Sequence, residues 1–243
     1  MGNDYIFDLH VHTAQGSECA ELGGAGLVEK YRALGYDGFV VTDHMKSGDR
    51  VWKGLAPWRK KADQWLAGYH AARAAAGDDF TVLLGLEIRF LENHNDYLLF
   101  GVTEDFVRQT PDLHRFPSLR AFRPVAEAHG LLIVQAHPFR VGMTVMPHGL
   151  LDGMEIHNGG FHVNQDGIAA QWAADYDLIP TAGSDYHGYD RPHRHKPGMD
   201  PSEPYKFRGI RTQTRPQSSQ QLAEILRARA YSLVPQLDGR AKK

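Results

Sequence analysis

A single cysteine, Cys19, stands among 243 residues. That excludes internal disulfides and any zinc cluster built from several thiolates. No apolar run approaches the ~18 residues that a membrane-spanning helix needs. The amino terminus, MGNDYIFDLH, lacks the positive region and apolar stretch of a secretory signal, so a cytoplasmic location is expected. Nor is one sign of charge in excess. The 27 basic and 29 acidic residues nearly cancel, unlike the basic surface of a protein that tracks along nucleic acid. Two catalytic signatures are also missing. No Gly-x-Gly-x-x-Gly follows the first predicted strand, which removes the usual dinucleotide loop. No Gly-x-Ser-x-Gly elbow is present and Cys19 has no evident base, so a side-chain nucleophile lacks support.

Histidine is what the chain has instead, 14 of them. A metal centre here would have to be made of imidazole and carboxylate, a donor set that suits Zn, Mn or Fe. The hydrophobic fraction of 42% and charged fraction of 23% are those of an ordinary globular protein. The length fits one domain spanning residues 1–243.

Strand-like and helix-like segments alternate. After a first strand in "YIFDLHV", Leu27, Val28, Tyr31 and Leu34 recur at helical spacing up to Gly35. "GFVVTDH" reads as a buried strand, and Trp58–Ala76 as an Ala-rich helix. "TVLLGLEIRF" and "DYLLFGV" are predicted strands joined by the polar turn Glu92–Asn95. Ser118–His129 is helical and stops at Gly130. Strands are expected at Leu131–Gln135, Gly153–His157, Leu178–Thr181 and "GIRTQT", with a helix at Ile168–Tyr176. Ser218 and Gln221 have the spacing of a capping box. Gly188–Tyr205, rich in Pro, His and Arg, reads as a surface loop or lid. The alternation predicts an α/β fold with a parallel sheet covered by helices, closed into a TIM-like barrel.

The chemistry gathers at the carboxyl ends of these strands. His10 and His12 lie at i and i+2 of the first, so their imidazoles share a face. His44 ends "GFVVTDH", Glu87 lies in "TVLLGLEIRF", and His137 follows "LLIVQA". Asp185 and His187 follow the strand at Leu178–Thr181 and repeat the i, i+2 spacing. In parallel barrels that end of the sheet builds the active site, because each strand delivers side chains into one mouth. A lone carboxylate in an apolar strand, such as Glu87, also calls for a charge partner. Other histidines have plainer readings. His129 complements a helix terminus, His70, His114 and His148 sit in polar or helical surroundings, and His193 and His195 lie in the irregular loop. His157 in "EIHNGG" is placed beside the ligand set rather than in it.

In this order, "DLHVHT", "TDH", "GLE", "AHP" and "GSDYH" resemble the motifs of the polymerase and histidinol phosphatase (PHP) family of metal-dependent phosphoesterases. The ending "LRARAYSLVP" is similar to that family's finish. The resemblance implies a distorted seven-stranded (β/α) barrel carrying two or three divalent ions (Zn, Mn or Fe). It makes His10, His12, His44, Glu87, His137, Asp185 and His187 ligands, with Glu87 bridging two ions. Two positions depart from the pattern. Where members place an Asp or His after the first motif, "GSECA" offers Glu18. For the further His of a third ion, His94 is the candidate and Asp96 its competitor.

Two cations ~3.5–4 Å apart can hold a bridging hydroxide at neutral pH and bind phosphate oxygens. The expected activity is therefore hydrolysis of small-molecule phosphomonoesters. Arg140, three residues after His137, is the candidate cation for the phosphate, and Asp185 or His187 for protonating the leaving oxygen through water. The alternatives are a nucleotide or short-oligonucleotide phosphoesterase and a non-catalytic metal-binding module. Long nucleic acid and membrane are not expected partners.

Overall fold

Alternation along β1 (Tyr5–Val11) sets the frame. Phe7 and Leu9 enter one apolar cluster, while Asp8 and His10 turn to the opposite face, as the two-residue period of a strand requires. The structure is a computed structural model that describes residues 4–160, 166–189 and 205–237. The strands that follow are β2 (Gly38–Val41), β3 (His44–Met45), β4 (Thr81–Leu84), β5 (Leu86–Arg89), β6 (Asp96–Phe100), β7 (Leu132–Gln135), β8 (Gly153–Asn158), β9 (Ile179–Gly183), β10 (Gly209–Thr212) and β11 (Tyr231–Val234).

These form a five-stranded sheet, β11-β10-β1-β2-β4, and a six-stranded sheet, β3-β5-β6-β7-β8-β9. Both are mixed. β1, β2 and β4 run parallel, as do β7, β8 and β9, but β10, β11 and β6 are antiparallel to their neighbours. The α/β class holds, but the expected closed barrel of seven parallel strands does not. Two local features account for the difference. "TVLLGLEIRF" breaks at Gly85, where a Cβ would come within 2.8 Å of Val40 Cγ1 and 3.0 Å of the Leu99 carbonyl oxygen, and the chain passes from one sheet to the other. The polar turn before Asp96 makes β5–β6 a hairpin, which reverses β6.

One face of the two sheets meets in a shared core. Phe7, Val40 and Leu83 from the first pack with Leu98, Val134 and Ile179 from the second. The helix α7 (Ser219–Arg227) adds Leu222, Ala223 and Leu226 to it. Ser218 caps that helix by accepting from Gln221 N, and Gln221 Oε1 accepts from Gln217 N, one residue before the predicted reciprocal bond.

The other sheet faces pack on helices. These are α1 (Gly24–Ala33), α2 (Trp58–Trp65), α3 (Ala67–Ala76), α4 (Glu104–Gln109), α5 (Leu119–Ala128) and α6 (Asp166–Asp175). The predicted helix at Trp58–Ala76 is thus two, separated at Leu66. Of the expected lid, residues 190–204 lie outside the described residues. No helix among the described residues is long and apolar enough to cross a membrane.

Candidate metal centre

The sheet edges meet where β1 ends. His12 N donates to the Tyr186 carbonyl oxygen and Asp185 N to that of His10, which zips the β9 exit loop onto β1. Gly183 is what allows the approach, because a Cβ there would lie 2.4 Å from His10 Cβ. From the other side, β3 pairs in parallel with β5, placing His44 opposite Glu87. His137 follows β7 with φ of 29° and Asp185 follows β9 with φ of 55°. Left-handed backbone at a non-glycine residue is uncommon and concentrates at functional sites.

Seven side chains from far apart in the chain thereby converge. Ligand atoms within 4.8 Å of one another form three groups: His12, His44 and His187; His10, His12 and Asp185; His10, Glu87 and His137. His10 and His12 have ring centroids 5.0 Å apart, as the shared strand face predicts. Asp185 Oδ1 lies 3.4 Å from His10 Nε2 and 3.2 Å from His12 Nε2. Glu87 sits at the centre, with Oε1 3.0 Å from His137 Nε2 and Oε2 2.7 Å from His44 Nδ1.

Burial turns this proximity into a test of fit. His10 Nε2, His12 Nε2, His44 Nδ1 and Glu87 Oε2 are buried without a hydrogen-bond partner, although His44 Nδ1 and Glu87 Oε2 approach to 2.7 Å. A buried polar atom left unsatisfied costs about 1–3 kcal/mol, so several aimed at one point need a common partner. A divalent cation would fit as that partner, and an imidazole–carboxylate set suits Zn, Mn or Fe.

The electrostatics agree. Burial alone would lower His10, but Glu155, Asp185 and Glu87 outweigh it and hold its pKa well above the imidazole range. His12 goes the other way, held well below that range by burial and the nearby His187 and His44. Burial would raise Glu87 and Asp185, yet the surrounding imidazoles keep both well below the carboxylate range. His44, opposed by burial and favoured by Glu87, is raised to about 10. Both acids are thus held ionised by positive charge on the neighbouring imidazoles, a charge that a cation would take over on displacing their protons.

The supporting residues are not the one that sequence reasoning expects, His157. Glu155 on β8 is buried, with Oε1 2.9 Å from His10 Nδ1 and Oε2 accepting from His137 N at 2.9 Å and Asn158 Nδ2 at 2.8 Å. As an acceptor it fixes the His10 proton on Nδ1 and turns Nε2 to the cluster, the arrangement that orients metal-bound histidines. Its signal in the sequence equals that of Glu87, a lone acid in an apolar strand. Asp8 accepts from Tyr31 Oη, Ser184 N and His10 N, tying β1 to the β9 exit. Asp43 accepts from Thr13 N, Thr13 Oγ1 and Ser17 Oγ, which anchors the loop after β1. His157 faces Asp166 at 3.3 Å, not the ligands. His114, expected in polar surroundings, is buried and stacks on Trp52 and Trp58.

Glu18 and His94 are not brought to the cluster. Glu18 is exposed and accepts from Arg50 N, and His94 is exposed in the β5–β6 turn. Beside it, Asp96 is buried but clamped by two Arg89 bonds of 2.7 Å, and its Oδ2 is 4.0 Å from His137 Nε2. Cys19 is exposed and lines the cavity on which the cluster opens; burial would raise its thiol, but His187 and His44 lower it to about 5. Arg140 stands at the mouth, Nη1 3.4 Å from His137 Nε2 and Nη2 3.8 Å from Asp96 Oδ2. The cluster opens on a cavity of about 320 Å³ shared by Lys46, Arg89 and Arg140. A larger cavity of about 620 Å³ lies elsewhere, by the start of β4 and of α7, and holds none of these groups.

Fold and cluster together define an α/β domain with a histidine–carboxylate cradle at its strand ends. No protein-family model matches the chain, and no curated protein does. Solved structures do share its fold. A two-domain protein of Bacteroides vulgatus containing a predicted PHP-like metal-dependent phosphoesterase is 16% identical with a TM-score of 0.64, over 97% of this chain and 66% of that one. An amidohydrolase of Chromobacterium violaceum is 16% identical with a TM-score of 0.53, over 93% and 97%. The lesion-specific endonuclease EndoQ of Pyrococcus furiosus is 15% identical with a TM-score of 0.61, over 95% and 58%. The chain thus spans just under two thirds of the first protein and less of the endonuclease. It has the fold of PHP-like metal-dependent phosphoesterase domains.

Proposed function

We propose that the chain is a metal-dependent phosphoesterase acting on small-molecule phosphomonoesters. The observation that carries this reading is the convergence of buried, hydrogen-bond-orphaned imidazole nitrogens and a Glu87 oxygen on one centre beneath a cationic mouth. His10, His12, His44, Glu87, His137, Asp185 and His187 would hold two or more divalent ions, Zn, Mn or Fe, with Glu87 shared between them. Bound ions would supply Lewis acidity and an activated water.

The chain's own groups do the rest. Arg140 binds non-bridging phosphate oxygens through its guanidinium, which is 22% exposed and whose nearest acid, Asp96, is already clamped by Arg89. Lys46 adds a second positive charge on the same cavity. Asp185 or His187, side by side on one wall, would orient the water that protonates the leaving oxygen. A cavity of about 320 Å³ lies at the lower end of small-molecule sites, ~300–1,000 Å³, which favours a compact monoester.

The test is hydrolysis of p-nitrophenyl phosphate, abolished by chelator and by His10→Ala. A fully metallated protein inert towards a panel of phosphomonoesters would refute it. A nucleic-acid phosphodiester is the second reading, favoured by the fold shared with a lesion-specific endonuclease. Side-by-side rates on a mononucleotide and on a labelled abasic duplex separate the two. A purely binding role would show as one tightly held ion per chain with no turnover.

A further inference from the structure

The near balance of charge along the chain hides one uneven stretch. Between Arg50 and Lys61 five of twelve residues are basic and none is acidic. The stretch leaves the rim of the metal centre, because Lys46 lines the central cavity and Arg50 N donates to Glu18, beside Cys19 on the same rim. Its cations are spare. Arg50, Lys53, Arg59 and Lys60 are exposed, and among the described residues no carboxylate pairs with them. The first acid beyond, Asp63, is held by Arg108 at 2.8 Å.

This loop is held in one shape all the same. Lys61 Nζ donates to the Trp52 carbonyl oxygen at 2.9 Å and to that of Gly54 at 2.8 Å, which folds the segment back against α2. Trp52 stacks on Trp58 with ring centroids 5.0 Å apart, and Trp58 Nε1 donates to the Val107 carbonyl oxygen at 2.8 Å. At the tip of this frame stands Leu55, completely exposed, after Gly54, which has no atom within 4 Å of where a Cβ would be. A large apolar side chain held out into water gains nothing from the rest of the fold.

We propose that this loop docks the chain on an anionic lipid bilayer, a partner that overall charge did not suggest. Leu55 enters the boundary between headgroups and acyl chains, and Arg50, Lys53, Arg59 and Lys60 lie against the anionic headgroups. Surface binding of this kind strengthens with buried apolar area and with the attraction of Lys and Arg to anionic lipid. Docking is independent of the reaction at the metal centre. A nucleic-acid backbone matches the cations but offers nothing to the leucine. The two tryptophans that could stack on bases are turned against each other and His114 instead. The remainder of the chain does not compete for the bilayer. Outside the stretch 22 basic residues are set against 29 acidic ones, so an anionic surface attracts this loop and repels the rest. That orientation turns the neighbouring mouth of the metal centre towards the membrane.

Cosedimentation of the full chain with vesicles tests this without any assay of turnover. One set of vesicles is phosphatidylcholine alone, the other phosphatidylcholine with a quarter phosphatidylserine, each at low and at physiological salt. The expected result is binding to the second set and not the first, weakened by salt. Lys53→Gln combined with Lys60→Gln should lower the partition coefficient about 25-fold, roughly fivefold for each cation. Leu55→Ser should lower it about tenfold. All three side chains are exposed, so circular dichroism should stay that of the parent. A parent that remains in the supernatant with anionic vesicles overturns the proposal, and so does partitioning that ignores either the lysine changes or Leu55→Ser. A labelled single-stranded oligonucleotide is the counter-probe. If the chain holds it more tightly than the anionic vesicles at the same salt, and the lysine changes release it, the loop belongs to nucleic acid and the bilayer is overturned.

Discussion

Glu155→Gln tests whether the strand-end cluster is an organised metal site or merely a crowd of polar groups. The substitution keeps the shape of the side chain but removes its charge and the equivalence of its two oxygens. Oε1 faces His10 Nδ1 at 2.9 Å, and Oε2 takes two donors, His137 N and Asn158 Nδ2. A glutamine can satisfy one side only. With its oxygen towards His10, its NH2 confronts two N–H donors. With its oxygen towards His137 and Asn158, its NH2 confronts His10 Nδ1 and drives the imidazole proton to Nε2, the atom that should bind metal. Either orientation disturbs a ligand or the backbone that sets one. Loss of such supporting groups lowers metal affinity ~10–100-fold, or ~1.4–2.7 kcal/mol. Competition against a chromophoric chelator measures this directly on folded protein. Wild-type affinity in the variant would refute the orientation argument, and with it the assignment of His10 Nε2 as a ligand atom.

Further outcomes follow from other contacts. Gly183→Ala places a Cβ 2.4 Å from His10 Cβ and 2.9 Å from His10 N, so we expect a loss of about 1–3 kcal/mol in denaturant unfolding; an unchanged midpoint would show that β1 and β9 can part freely. Burial raises Asp8 to about 6 in the fold from an ordinary 3.8, so its contribution to stability is present in full below about pH 4 and is lost as pH rises through 6. Asn fits the same three donors, because the Tyr31 hydroxyl can rotate to accept. Chelated Asp8→Asn should therefore exceed chelated wild type by about 3 kcal/mol at pH 8, with the gap closing towards pH 4 in urea titrations; a constant gap would remove the titration of Asp8 from the account. Arg140→Ala should raise KM for a phosphomonoester by about 10-fold or more, as loss of a charged hydrogen bond worth ~1.5–3 kcal/mol implies, and Arg140→Lys should recover part of it. Equal KM values in all three proteins would move the phosphate site elsewhere.

What was legible in the sequence follows the range of the interactions. His10 and His12 needed only the period of a strand, and their rings do lie side by side. The Ser218 cap, the Gly35 and Gly130 exits and the β5–β6 turn are also local, and each stands where its residues indicated. Barrel closure is not local. Whether consecutive strands continue one ladder depends on a contact such as Gly85 against Leu99 and Val40, across sheets that no short window connects. Counting strands therefore gave the class of the fold and not its topology.

The candidate site divides along the same line. Ligands at strand ends announce themselves because a buried His or Glu in an apolar run is costly wherever it falls. A loop residue carries no such signal. Glu18 is exposed, and where it points is set by the bond its carboxylate makes with Arg50 N rather than by its place after the first motif. The same reasoning exposes an omission. Glu155 in "GMEIH" is as anomalous as Glu87 in "GLEIR", and the cost that marked one as functional applies equally to the other. Read consistently, buried acids in strands locate both the residue that would bridge the ions and the one that aims His10 at them, whereas sequence spacing alone finds only the histidines and Asp185.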